Sequence, residues 1–288
     1  MLDAATAERE GEMEHLEKRV EDHYTTTGLL ARIDAALAEM GVSGGDPDSL
    51  KPIDEFHTGG LEATEALLTQ LEITPQTRVL DIGAGLGGTA RHIVHRYGAH
   101  VTGVDLTHSF VDVAKALNER VRYSAAITMI QGSALDLPVA GGSFDLAVML
   151  HVGMNIEDKP RLMAEVARVL RPGGTFALFD VMRDGADNNL VFPLPWSEAA
   201  GTSFVDHPLA YRTAGEGAGL EHVAQRGRRD FTLHYFARVF EAMEQNGPAP
   251  LGIHLLMRET AREKLQNYVA NVEAHRIAPV EMIFRKPG

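Results

Sequence analysis

The chain has 288 residues, enough for one large α/β domain with additions or for two small domains. A formal net charge of −13 repels phosphate backbones, which excludes nucleic acid as the expected partner, since the best basic stretch, Arg226-Gly-Arg-Arg229, is short. With no cysteine, the chain has no disulfide, thiolate metal site or cysteine nucleophile.

The opening residues, Met1-Leu-Asp-Ala-Ala-Thr-Ala-Glu-Arg-Glu, lack a basic start and a continuous apolar core, so no signal peptide is expected. No apolar run approaches the ~18 residues of a membrane span, so the expected location is the cytoplasm, with no membrane partner. Residues 1–22 are rich in glutamate, with Met13, Leu16 and Val20 at helical spacing. They predict a solvated amphipathic helix or a dimer contact, hence a monomer or homodimer. A second helix is expected over Leu29–Met40, before a Gly/Pro/Asp-rich linker at Gly41–Asp48. This divides an N-terminal helical extension, residues 1–50, from a domain over 51–288. In that domain Phe56-His57-Thr58-Gly59-Gly60 precedes a helix over Leu61–Leu71, and its two glycines free a helix start to approach a carboxylate.

The short apolar run Arg78-Val79-Leu80 suits a buried parallel strand, and glycines follow at 83, 85, 87 and 88 before a helix-compatible segment, Thr89–Tyr97. Such a strand–glycine turn–helix unit brings a ligand against bare backbone. A second strand, His100–Asp105, ends in an acid 18 residues after Gly87, which can accept both hydroxyls of a ribose. A nucleoside site is expected. Gly83, Gly85 and Gly88 also satisfy the dinucleotide pattern of nicotinamide-dependent oxidoreductases. Asp81 speaks against that rival, because a carboxylate there meets pyrophosphate badly and suits a ligand with a cationic amino-acid end.

A helix over 108–122 and a third strand, Ile127–Gln131, come next. A fourth strand, Asp145–Leu150, opens into His151-Val-Gly-Met-Asn155, and a helix over Asp158–Leu170 is ended by Pro172-Gly-Gly174 before a fifth strand, Thr175–Val181. Residues 182–207 show no regular pattern and carry Trp196, the one tryptophan. A helix over Leu209–Gly217 and a strand over Glu221–Asp230 lead to a helical pair, Thr232–Glu244 and Leu251–Ala274, split by Gly247-Pro-Ala-Pro250. Ile277–Arg285 is the closing strand, expected antiparallel at the sheet's end.

Four ordered segments together resemble the class I S-adenosylmethionine-dependent methyltransferases: Val79–Arg91, Gln131–Pro138, Ser143–Leu150, and Arg168–Gly174 with the apolar run after it. The resemblance covers roughly residues 55–230. Asp54–Thr64 and His151–Lys159 are similar to a small-molecule branch near the sarcosine/dimethylglycine N-methyltransferases. The implied fold is α/β: a Rossmann-like, seven-stranded, mostly parallel sheet with helices on both faces. An N-terminal helical lid and a helical insert at about 232–274, before the last strand, complete it.

The implied cofactor is S-adenosyl-L-methionine, leaving S-adenosyl-L-homocysteine, with no metal. Its expected contacts are Asp81, Gly83, Ala84, Gly85, Gly87, Asp105, Leu106, Ser133, Ala134, Leu135 and Leu150. Asp136 either accepts from the adenine amino group or caps a turn. Tyr24, Met154 and Trp196 are the expected substrate contacts, each with simple packing as the alternative. His151 and His57 are the catalytic candidates, as general base or as positioning groups. Tyr235, Phe236, Phe240 and His254 of the helical pair line a pocket or, as a stripe at helical spacing more often does, pack in the core. The expected activity is methyl transfer to a small-molecule acceptor, nitrogen before oxygen or carbon. A non-catalytic, cofactor-binding regulatory protein is the other reading.

Overall fold

The computed structural model describes residues 4–25, 27–185, 189–247, 249–257 and 260–288. Apolar strands alternating with amphipathic helices can bury both sheet faces only if helices cover each side. Seven strands do this: β1 (Arg78–Ile82), β2 (His100–Asp105), β3 (Ile127–Gln131), β4 (Phe144–Leu150), β5 (Leu170–Arg183), β6 (Glu221–Gly227) and β7 (Ile277–Arg285). They form one sheet in the order β3-β2-β1-β4-β5-β7-β6. The neighbours β3, β2, β1, β4 and β5 pair in parallel, and β7 runs antiparallel to β5 and β6. The strand order reverses between β1 and β4, where Ile82 pairs with Met149, so a crevice opens at their carboxyl ends.

The N-terminal helices are α1 (Ala4–Tyr24), α2 (Leu29–Glu39), α3 (Lys51–Asp54) and α4 (Gly60–Leu68). Next come α5 (Gly88–Tyr97), α6 (His108–Arg120), α7 (Lys159–Val169) and α8 (Pro208–Gly217). The last three are α9 (Arg229–Asn246), α10 (His254–Met257) and α11 (Ala261–Glu273). Alternation along β1 sorts the core: Leu80 and Ile82 pack with Leu162 and Val166 of α7, while Val79 packs with Leu67 of α4 and Ile93 of α5. Each such side chain contributes roughly 1.5–3 kcal/mol by leaving water. Helix α7 starts where Asp158 accepts from the Arg161 amide (2.9 Å) and Pro160 occupies the first turn.

Three expectations are corrected. Strand β7 lies inside the sheet, not at its end: Ile277–Phe284 is buried residue by residue and needs a neighbour on both edges, whereas the largely exposed β6 tolerates the edge. Strand β5 begins at Leu170, which pairs with Phe144, and the register shifts before Leu146 meets Thr175, so Pro172–Gly174 sits within the strand rather than before it. Strand β6 stops at Gly227, and α9 takes over at Arg229. The expected helix over Leu251–Ala274 is represented by α10 and α11, and its residues Arg258 and Glu259, like Pro248 before it, lie outside the described residues. Among the described residues no helix is long and apolar enough to cross a membrane.

Candidate active site

The turn after β1 is tied to β2, because the Gly83 and Ala84 amides both donate to the Val104 carbonyl (2.8 and 3.1 Å). Gly85 follows with φ +54°, and a Cβ built there meets open space, so its backbone lies bare to the crevice. The Gly85 amide donates to Asp105 Oδ2 (2.7 Å) and the Thr107 amide to Oδ1 (2.8 Å). Two donors fix the carboxylate while each oxygen keeps a lone pair for a hydroxyl. Gly88 serves another purpose: its Cβ position is 2.1 Å from the Asp54 carbonyl, where α5 abuts α3.

A first cavity of about 960 Å³ occupies the crevice, in the size range of cofactor sites. Asp81, Gly83, Ala84, Gly85, Asp105, Leu106, Ala134, Leu135 and Leu150 all line it, beneath Met13, Glu17 and Tyr24 of α1. Asp81 is buried with Oδ2 unpartnered. Burial first, then the charges of Asp105 and Glu55, push its pKa up to about 7. Two expected contacts fall outside the lining. Gly87 caps α5 with φ +81°, and its Cβ position faces Arg91. The Ser133 hydroxyl donates to Glu17 and accepts from the Leu135 amide (2.9 Å), closing the turn to Asp136, so Gly132 takes its place. Asp136 is exposed and belongs to that turn.

A second cavity, about 610 Å³, adjoins the first, and Tyr24, Phe56, His57 and His151 line both. Met154 and Trp196 line only the second of these two. The Trp196 Nε1 donates to Ser203 Oγ (3.0 Å), and the Tyr24 hydroxyl accepts from Asn155 Nδ2 (3.0 Å).

His151 follows β4 with φ +54°, a conformation that costs a non-glycine residue about 1–2 kcal/mol and clusters at functional sites. Its amide donates to the Phe179 carbonyl (2.7 Å) and its ring tilts over that of Phe179 (4.8 Å). Nδ1 accepts from the Thr58 amide in a long contact (3.5 Å), so the neutral ring carries its proton on Nε2, which is buried without a partner. Burial, then the nearby His57, holds the pKa well below the ordinary histidine value, and the ring stays neutral.

His57 is engaged on both sides. Its Nε2 meets Glu55 Oε2 (2.9 Å) and Thr64 Oγ1 (3.0 Å), and Nδ1 stands 3.3 Å from the Thr58 carbonyl. Burial opposes charge on Glu55, but the hydrogen bond and charge of His57, with Lys51, hold its pKa at about 2. Neither histidine therefore presents an open basic nitrogen.

Sequence reasoning missed the Glu55–His57–Thr64 cluster, whose partners are separated by a loop and a helix start. Tyr235, Phe236 and His254, for which pocket and core were both open, line the second cavity, Phe236 packing in the core as well, and Phe240 packs beside it.

A crevice at the reversal of a parallel sheet, a glycine turn after its first strand, an acid at the end of its second and an antiparallel seventh strand define the class I methyltransferase fold. Residues 80–178 match the model of a family described as "Methyltransferase domain". The chain is similar to the glycine/sarcosine/dimethylglycine N-methyltransferase of Actinopolyspora halophila, 28% identical over 194 residues, which cover 67% of this chain and 34% of that protein. It is also similar to methyltransferase GfsG of Streptomyces halstedii, 32% identical over 189 residues, 62% of this chain and 64% of that protein. The chain thus spans about a third of the first relative's length and just under two thirds of the second's. Geranyl diphosphate C-methyltransferase from Streptomyces coelicolor A3(2) shares the fold, with a TM-score of 0.64 at 17% identity over 78% of each chain. Residues 80–178 thus match a methyltransferase domain, and the fold that carries them is that of the class I S-adenosylmethionine-dependent methyltransferases.

The first cavity fits the cofactor of that class. The unpartnered Asp81 oxygen suits an ammonium, the bare backbone at Gly85 admits a close approach, and Asp105 offers acceptors to a ribose.

Proposed function

We propose that this chain transfers a methyl group from S-adenosylmethionine to a small-molecule acceptor in the second cavity, with nitrogen as the accepting atom. The observation that carries this reading is the wall of Tyr24, Phe56, His57 and His151 common to the two cavities, where a methyl group can pass from one ligand to the other. Asp105 accepts the ribose hydroxyls, Asp81 faces the ammonium, and Gly83 to Gly85 lie along the methionine end. Leu106, Ala134 and Leu135 flank the adenine, Leu150 closes the floor, and α1, in the 1–50 extension, acts as a lid.

When bound, the cofactor supplies a methyl carbon on a sulfonium; the acceptor's lone pair bonds to it as the C–S electron pair leaves with sulfur, giving S-adenosylhomocysteine. The protein then has to hold that lone pair about 3 Å from the carbon and keep water out. A neutral amine is nucleophilic without help and sheds its proton to solvent afterwards, whereas a hydroxyl acceptor requires a base. Because His57 is engaged and His151 Nδ1 faces the Thr58 amide, the site offers no open base, which suits an acceptor that needs none, such as a neutral amine. His151 then orients the ligand by donating Nε2–H to an acceptor atom beside the nitrogen, whose lone pair stays free, and Met154 and Trp196 pack around its body. The reading places a monomer or homodimer in the cytoplasm, acting on small metabolites and not on nucleic acid.

Calorimetric titration with S-adenosylmethionine, S-adenosylhomocysteine and NAD, followed by transfer of labelled methyl groups into a metabolite extract, tests this. Adenosyl binding with a labelled amine product is expected. Binding without product would turn the reading toward a regulatory protein, and selective binding of NAD would overturn it.

A further inference from the structure

Cavity size, wall chemistry and charge placement describe the acceptor more closely. Resting on the reading that the first cavity takes the cofactor, we infer that the second takes a bulky, largely apolar, ring-containing molecule with one polar end, not an amine of amino-acid size. Its volume of about 610 Å³ lies within the range that holds drug-sized ligands. An acceptor of a few heavy atoms would leave most of that space against apolar walls, with no way to fix its lone pair.

The walls are aromatic where the insert meets the segment that carries Trp196. Trp196 meets Tyr268 edge to face (5.9 Å), Tyr268 meets Phe236 (5.5 Å), and Phe236 meets Tyr235 (5.3 Å). Met257 and Leu265, both buried, continue the surface. Such faces take a flat ring system by stacking or edge contact. At the wall common to both cavities stand the unpartnered His151 Nε2 and His57 with its partner Glu55, while Glu62, His254 and Arg262 also line this cavity. The cavity therefore holds a ligand with its nucleophilic end near His151 and its body against Trp196 and Phe236.

Charge placement argues against a free amino acid. Among the described residues, Lys51 and Arg262 are the lysine and arginine side chains in the lining. Lys51 stands 3.5 Å from Glu55, with its buried Nζ making no hydrogen bond, and Arg262 is exposed. A carboxylate held near His151 would face buried Glu55 and compete with it for Lys51, the one buried cation of this lining among the described residues, an arrangement that costs affinity.

Trp196, the chain's one tryptophan, stands in this wall, so its emission reports the second cavity. The test titrates the full chain, saturated with S-adenosylhomocysteine, with 1-aminonaphthalene and separately with sarcosine, and follows Trp196 fluorescence. Saturable quenching by 1-aminonaphthalene in the micromolar range, with none by sarcosine, is expected. Val239→Phe and Leu265→Phe, each adding bulk to the wall, should weaken the quenching by about tenfold while calorimetry shows S-adenosylhomocysteine affinity unchanged. Two variants on separate helices guard against one failing to fold. Saturation by sarcosine without a response to 1-aminonaphthalene, or quenching indifferent to both variants, would overturn the inference. Absence of S-adenosylhomocysteine binding would instead overturn the cofactor reading beneath it.

Discussion

His57 and His151 meet edge to face, with ring centroids 5.8 Å apart, at the wall between the two cavities. Their environments make them unlike. Glu55 fixes the His57 ring from one side, while the Thr58 amide and the Phe179 ring fix His151 and leave its Nε2 facing no protein partner. One ring braces the junction and the other presents a single donor to it. A site that needs only alignment at an electrophilic carbon is served by this pair without a proton acceptor.

Replacing His151 tests that division. His151→Asn tolerates the positive φ, so the melting temperature should hardly move. Methyl transfer should fall by about tenfold or more, the loss expected of one buried hydrogen bond to the acceptor, with S-adenosylhomocysteine affinity unchanged. Because burial keeps the ring neutral, the rate profile of the parent enzyme from pH 6 to 8 should have the same shape as that of the variant. An inflection near neutral pH that disappears in His151→Asn would identify a general base instead.

Asp105 should matter through hydroxyl recognition. Asp105→Asn removes a charge from bonds worth about 1.5–3 kcal/mol each, so S-adenosylhomocysteine should bind roughly ten- to a hundredfold more weakly by calorimetry. The variant also disturbs the Gly85 and Thr107 amides that the carboxylate anchors. Adenosine and 2′,3′-dideoxyadenosine separate the effects: only adenosine should distinguish parent from variant, and an equal loss for both would reject the ribose assignment.

The cofactor half of the site was legible because backbone constraint shows in residue type. Positive φ at Gly83 and Gly85, and an acid closing the next strand, leave glycine and aspartate where few other residues serve. The same code misled at Gly87, whose glycine caps a helix, a need with an identical sequence signature. Ser133 failed differently: a hydroxyl in a turn satisfies its own backbone first. The second cavity was largely illegible. Phe236 and Tyr235 fall on a helical stripe that spells core, and nothing in spacing tells a stripe facing a void from one facing another helix. The place of β7 was misjudged because chain order was taken for sheet order, although its unbroken apolar run already asked for two neighbours.

Gly88→Ala should be a pure stability variant. Its Cβ would sit 2.1 Å from the Asp54 carbonyl and push apart α3 and α5, between which Arg91 and Asp54 form a fully buried pair. About 1–3 kcal/mol should be lost in denaturant unfolding. Gly85→Ala makes the contrast: it meets open space and pays only for its positive φ, so cofactor affinity should suffer more than stability.

Asp81 should make cofactor binding depend on pH in a direction fixed by its environment. Its carboxyl ionises near 3.8 in the unfolded chain and at about 7 in the folded one. Between these values the unfolded state has shed its proton and the folded state has not. The ligand-free protein therefore loses stability as pH rises from about 4 to about 7, and the loss is complete above that. An ammonium opposite Asp81 favours the ionised form, so binding below pH 7 must expel a proton. Affinity for S-adenosylhomocysteine should rise with pH, by up to tenfold per unit, and level off near 7. Calorimetry in buffers of different ionisation enthalpy counts the released proton directly. 5′-Methylthioadenosine, which lacks the amino-acid end, should bind with no such slope, and Asp81→Asn should bind S-adenosylhomocysteine weakly at every pH. A slope that survives in Asp81→Asn would assign the proton to another group and remove Asp81 from the ammonium site.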